Sequence, residues 1–120
     1  MKKLFAIAGA TVLLTALTGC VGSFDTFQKA YDTCGAPAGI TVSDGGKSLI
    51  INGMGEEDYS GSTIYSTACV LGEIGTPSYI LSNMETTNSL MGRQSDTFDG
   101  IDVSWSYHPD NGLDVVVNKK

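Results

Sequence analysis

Near the end of the chain, IDVSWSY sets Ile101, Val103, Trp105 and Tyr107 in strict alternation with Asp102, Ser104 and Ser106. After HPDNG the pattern resumes at Leu113, Val115 and Val117. A period of two puts successive side chains on opposite faces of a strand, so the two runs predict a half-buried hairpin with one apolar and one polar face. A sheet of this kind is stable only when another layer covers its apolar face. That requirement constrains everything upstream.

A second hairpin is predicted from GITVSDGGKSLIINGM. Ile40 and Val42 share one face, Asp44-Gly45-Gly46 permits positive φ in a tight reversal, and Leu49, Ile50 and Ile51 form the returning arm. The covering layer is helical. From Ser23 to Cys34, the residues Phe24, Phe27, Tyr31 and Cys34 recur at helical spacing, with Ser23 as cap, Asp25 in the first turn and Gly35 as stop. From Ser62 to Ile74, the residues Ile64, Ala68 and Leu71 form an apolar stripe with Tyr65 and Cys69 beside it, which predicts a second helix buried through that stripe. Thr76-Pro77 reads as a cap and first helical residue, opening a third helix over Tyr79, Ile80, Leu81 and Met84. GEEDYSGS is a polar loop, and ETTNSLMGRQSDTF is a loop with room for one short strand. The expectation is an α+β domain in which an antiparallel sheet of two hairpins carries about three short helices on one face, tied by one disulfide.

Cysteine arithmetic sets the compartment. Cys34 and Cys69 can close a loop of about 35 residues, worth roughly 3 to 4 kcal/mol in the chain-entropy picture. Two buried thiols are the alternative, and a zinc site lacks its ligand spacing. The third cysteine ends the leader MKKLFAIAGATVLLTALTGC, where Lys2 and Lys3 precede an uncharged apolar run from Leu4 to Leu17. That run has the length of a secretory signal and is short for a membrane span of roughly 20 residues.

Its ending, Leu17-Thr18-Gly19-Cys20, resembles the lipobox of bacterial lipoproteins. The resemblance implies cleavage before Cys20, attachment of diacylglycerol to its thiol with palmitate-type acyl chains, and residence on the extracytoplasmic side of the cell membrane. Two or more chains, at about 0.8 kcal/mol per buried methylene, make such an anchor stable. An ordinary signal or an uncleaved anchor, in which Cys20 stands by chance, is the alternative. The organisation expected is a removed leader over 1–19, an anchored N-terminus over 20–22 and a single α+β domain over 23–120.

Without Lys2 and Lys3, five of the seven basic side chains remain against thirteen acidic ones. The resulting formal charge of about −8 argues against nucleic acid and against adhesion to anionic head groups. The partners expected are the membrane, through Cys20, and an envelope protein. No cofactor motif is present.

Four constellations carry possible chemistry. His108 with Asp110 fits a carboxylate-oriented base, although His-Pro-Asp-Asn-Gly reads first as a turn. Asp96, Asp99, Asp102 and Asp110 are oxygen ligands of the type calcium takes, in a spacing that lacks the glycine and distal glutamate of an EF-hand, and no metal site is expected. Glu56-Glu57-Asp58 reads as a solvated run. Trp105 and Tyr107 belong to the core or line a ligand cleft. The polar sheet face, with Asp102 and Asp114, or an acidic loop is the expected partner surface, and a small-molecule or metal-binding role through Trp105 or the aspartates is the second reading. No nucleophile accompanies His108, so catalysis is not expected.

Two stretches, ACVLGEIGTPSYILSNMETTNSLMGRQ and WSYHPDNGLDVVV, are similar to a group of small lipoproteins and secreted proteins of actinobacteria and their phages. The resemblance covers most of the chain after the leader. It supports the architecture and the address and transfers no site. Phage lipoproteins of this size act in superinfection exclusion, which makes interference with incoming DNA a further expectation.

Overall fold

The two alternating runs form the centre of the sheet. In the computed structural model, which describes residues 26–120, β4 (Ile101–His108) and β5 (Gly112–Lys119) pair antiparallel with Val103 opposite Val117 and Trp105 opposite Val115. The predicted upstream hairpin is β1 (Ile40–Ser43) and β2 (Ser48–Asn52), joined by a single 3-10 turn in which Asp44, Gly45 and Gly46 all take positive φ. β2 adds to the free side of β5, and β3 (Gln94–Phe98) adds to that of β4. The five-stranded sheet is therefore antiparallel throughout in the order β1-β2-β5-β4-β3.

β3 lies within the segment read as a loop with room for a strand. Its register sets Gln94, Asp96 and Phe98 opposite Trp105, Val103 and Ile101, so two of its three core-side positions are polar. Only Phe98 is buried. A carboxylate on the core side of an edge strand disfavours pairing with a further strand, which suits the rim of an open sheet.

Three helices cover one face. α1 (Thr26–Thr33) buries Phe27 and Ala30, and α2 (Ile64–Glu73) buries Thr67, Val70 and Leu71. α3 (Ser78–Glu85) buries Ile80 and Met84. Together with Leu49, Ile51, Val103, Trp105, Val115 and Val117 they form one hydrophobic core, which makes residues 26–120 a single α+β domain. The Cys34–Cys69 disulfide joins the C-terminal end of α1 to the middle of α2 with a Cα separation of 6.0 Å. Gly35, at φ 87°, supplies the left-handed residue that ends α1. Ser23, Phe24, Asp25 and the leader with Cys20 lie outside the described residues.

Two local expectations are corrected. The buried side of α2 is Thr67, Val70 and Leu71, with Ile74 just past its end, whereas Ile64 is 65% exposed and Tyr65 84% exposed. Apolar side chains occur all round this helix, so the stripe pattern alone did not specify which side meets the sheet. At the next helix the cap position is Pro77 itself, with φ −62° and ψ 149° and no side-chain cap bond. Thr76 is buried one residue earlier, its hydroxyl lacking a protein partner.

Candidate functional site

The corrected face of α2 leads to a broad concavity. Ile64, Thr67, Ala68 and Leu71 follow each other at i, i+3, i+4 and i+7 and form one wall of a groove of about 720 Å3. Ser78, Leu81, Ser82 and Glu85 repeat that spacing on α3 and form the other wall. Met54, Tyr107 and Leu113 close the groove where the sheet ends, and Met84 and Thr87 reach it from beneath. Its volume lies in the range of binding clefts, and its surface is apolar with a few hydroxyls. Within it and along its rim, Ile64, Met54 (39%) and Tyr107 (38%) are large apolar side chains left open to solvent.

Trp105 supports this site from below. It is 2% exposed, and its indole Nε1–H donates to Thr87 Oγ1 at 2.8 Å. Thr87 Oγ1 in turn donates to the Asn83 carbonyl at 2.7 Å. The indole is thus a core residue with a satisfied polar end, while its hydrogen-bond partner faces the groove. Of the aromatic pair singled out in the sequence, Tyr107 lines the cleft and Trp105 lies under it.

The sheet-end wall is held by close backbone packing. Glu56 N donates to Pro109 O at 2.9 Å and Glu57 N to Asp110 O at 3.0 Å, so the acidic loop is fastened to the β4–β5 turn. Behind it, Asn52 O accepts from Ser62 N at 2.7 Å. At Gly61 the chains approach so closely that a Cβ would overlap the Gly53 carbonyl. Asp58 accepts from Ser60 Oγ at 2.6 Å and Ser60 N at 3.0 Å, and these bonds hold its carboxyl below the ordinary aspartate value of 3.8.

The polar sheet face bears the residues expected there. Cross-strand register aligns Thr41, Ile50, Val116, Ser104 and Ser95 in one row, and Ser43, Ser48, Asn118, Asp102 and Thr97 in the next. Asp114 stands between Asn52 and Ser106. This face is not uniformly acidic. Arg93 lies across it, donating through Nε to Ser104 Oγ and through Nη1 to Ser106 Oγ, both at 3.1 Å. Lys120 pairs with Asp102 at 3.4 Å, an exposed contact worth little. The depression between Asp102, Ser95 and Asn118 is open and about 210 Å3 in volume.

The remaining candidates separate in space. Asp96 caps Thr97 N at 2.8 Å, Asp99 sits in the β3–β4 turn at φ 48°, and Asp110 lies at the far end of β4 from both. The four aspartates therefore do not converge. Among the described residues no group of three or more histidine, cysteine or carboxylate side chains is placed to hold a metal ion. His108 Nδ1 accepts from Asp110 N at 3.1 Å, and Asp110 Oδ2 at 3.7 Å is beyond hydrogen-bond reach. Both side chains are exposed.

The groove is what sequence reasoning missed. Its one legible trace is the surplus of apolar positions on α2, which carries two stripes where burial against a sheet needs one. Among the described residues no helix is long and apolar enough to cross a membrane. No family model, curated protein or solved structure matches the chain.

Proposed function

We propose that this protein is a lipid-anchored, extracytoplasmic binding module of the bacterial cell envelope that holds a protein partner in the groove between α2 and α3. The observation that carries the reading is the pair of facing helical stripes, which leaves a two-walled apolar cleft open beside the hydrophobic core. Exposed apolar surface with a polar rim is the usual mark of a partner site. The leader pattern ending at Cys20 supports the anchor, and the disulfide suits an oxidising compartment. The polar sheet face is the weaker surface, because Arg93 and Lys120 already occupy its hydroxyls and carboxylate.

A photo-crosslinking side chain placed at Ala68, and separately at Asn118, tests the site in intact cells. A discrete protein adduct from position 68 and none from 118 is the expected result; adducts from 118 alone would move the site to the sheet. Mass analysis of the protein from the membrane fraction tests the anchor, with a chain that starts at an acylated Cys20 expected. An unacylated Cys20 would remove the lipid from the proposal.

A further inference from the structure

We infer that the segment held in the groove is a short amphipathic helix whose apolar stripe is flanked by lysine or arginine. This rests on the reading of the groove as the binding site and adds the chemistry of its occupant.

Shape supplies the first argument. Each wall presents four positions at i, i+3, i+4 and i+7, which is about 10 Å of helix. Two such stripes facing across a cleft offer the ridges against which a third helix packs, and an apolar face repeating at the same intervals is what they select. Met54 and Met84, on the end wall and in the floor, have unbranched thioether side chains that adapt to such a face.

Charge supplies the second, independent argument. Among the described residues, Glu85 is the one ionisable carboxylate in the lining, and no lysine or arginine is present there. The acidic loop Glu56-Glu57-Asp58 begins two residues after Met54 and is fastened to the turn that carries Asp110. Of the five basic side chains among the described residues, Lys29 is on α1 and outside the groove lining. Lys47 and Lys119 are joined through their backbones at 2.9 Å at the opposite end of the sheet, where Lys120 also lies, and Arg93 lies on the outer face. The apolar cleft therefore opens beside a negative field, which steers cationic partners and repels anionic ones.

The same charges disfavour other occupants. A second copy of this chain would bring its own Glu85 and acidic loop against the first. A fatty acid or an anionic lipid surface would set its negative head group against the same carboxylates.

The test uses the purified protein bearing Cys20→Ser, with Trp105 as reporter, since it is the sole tryptophan and its partner Thr87 faces the groove. Two synthetic helical peptides share one apolar stripe and lack tryptophan and tyrosine; one is flanked by lysines and the other by glutamates. The lysine peptide should change Trp105 emission saturably and bind about tenfold tighter or better than its counterpart. The preference should shrink in Glu56→Lys/Glu57→Lys and as salt rises. Ala68→Arg, at an exposed position, should abolish binding while leaving the unfolding midpoint unchanged.

Equal binding of the two peptides, binding of neither, or saturable binding only of oleate or of vesicles containing phosphatidylglycerol overturns the inference. Crosslinking from position 68 separates the two levels. A protein adduct there with no preference for the lysine peptide removes the helix assignment and keeps the groove, whereas no adduct removes both.

Discussion

Thr87→Val tests the link between core and groove. The substitution keeps the branched shape and replaces the hydroxyl that accepts from Trp105 Nε1 and donates to Asn83 O. The Asn83 carbonyl is not orphaned, because Thr86 Oγ1 also donates to it at 3.2 Å. The indole N–H loses its partner inside a residue that is 2% exposed. Leaving a buried donor unsatisfied costs about 1–3 kcal/mol, so a loss of about 2 kcal/mol is expected. In a domain of this size that lowers Tm by roughly 8 to 16 °C. Urea unfolding followed by circular dichroism should show a lower midpoint at unchanged slope. Thr87→Ser, which keeps the hydroxyl, should recover most of the loss. The decisive comparison is a double-mutant cycle with Trp105→Phe, in which no indole N–H remains to be stranded. There Thr87→Val should cost less than about 0.5 kcal/mol beyond the Trp105→Phe background. An equal cost in both backgrounds would show that the hydroxyl acts on something other than the indole, and the argument for a satisfied tryptophan beneath the groove would fail.

Three further outcomes follow from the same structure. Replacing both disulfide cysteines, Cys34→Ser/Cys69→Ser, should cost about 4 kcal/mol in urea unfolding by the chain-entropy relation for this loop, and a loss below about 1 kcal/mol would mean that the unfolded chain is already restricted there. The two glycine substitutions should have opposite signs: Gly61→Ala should lower stability by more than about 3 kcal/mol because a methyl group meets the Gly53 carbonyl, while Gly72→Ala, in the open last turn of α2, should raise it by about 0.5 to 1 kcal/mol. For Asp58, whose carboxyl is lowered in the fold, the contribution to stability is present above its unfolded value and is lost as pH falls through the folded one. Carboxyl NMR titration should give a midpoint below 3.8 that rises in Ser60→Ala, and an unmoved midpoint would contradict the Ser60 hydrogen bond as its main cause.

Local patterns carried much of the fold. Alternation through Ile101–Tyr107 and Leu113–Val117 stated which side chains of β4 and β5 face the core, and the turn chemistry of Asp44-Gly45-Gly46 stated where β1 meets β2. In both cases the deciding interactions lie between neighbours in sequence, so a period of two or a run of positive-φ residues suffices. Pairing of Cys34 with Cys69 was legible for a different reason: once Cys20 is set aside, the two have no other partner.

What only the tertiary structure decided was the position of elements relative to one another. The pairing of β2 with β5 joins residues far apart in the chain, and no period within either strand names the other. β3 is an edge strand whose core-side positions include Gln94 and Asp96, so its sequence lacks the apolar alternation that identifies central strands. The groove is likewise a relation and not a motif. Ile64, Ala68 and Leu71 read locally as a stripe to be buried, yet the fold turns Val70 and Ile74 to the sheet and leaves Ile64 and Ala68 facing Leu81 across open space. Hydrophobicity tells a side chain to leave water without naming the surface it meets. In α2, where apolar residues occur on every side, the disulfide and the sheet beneath made that choice.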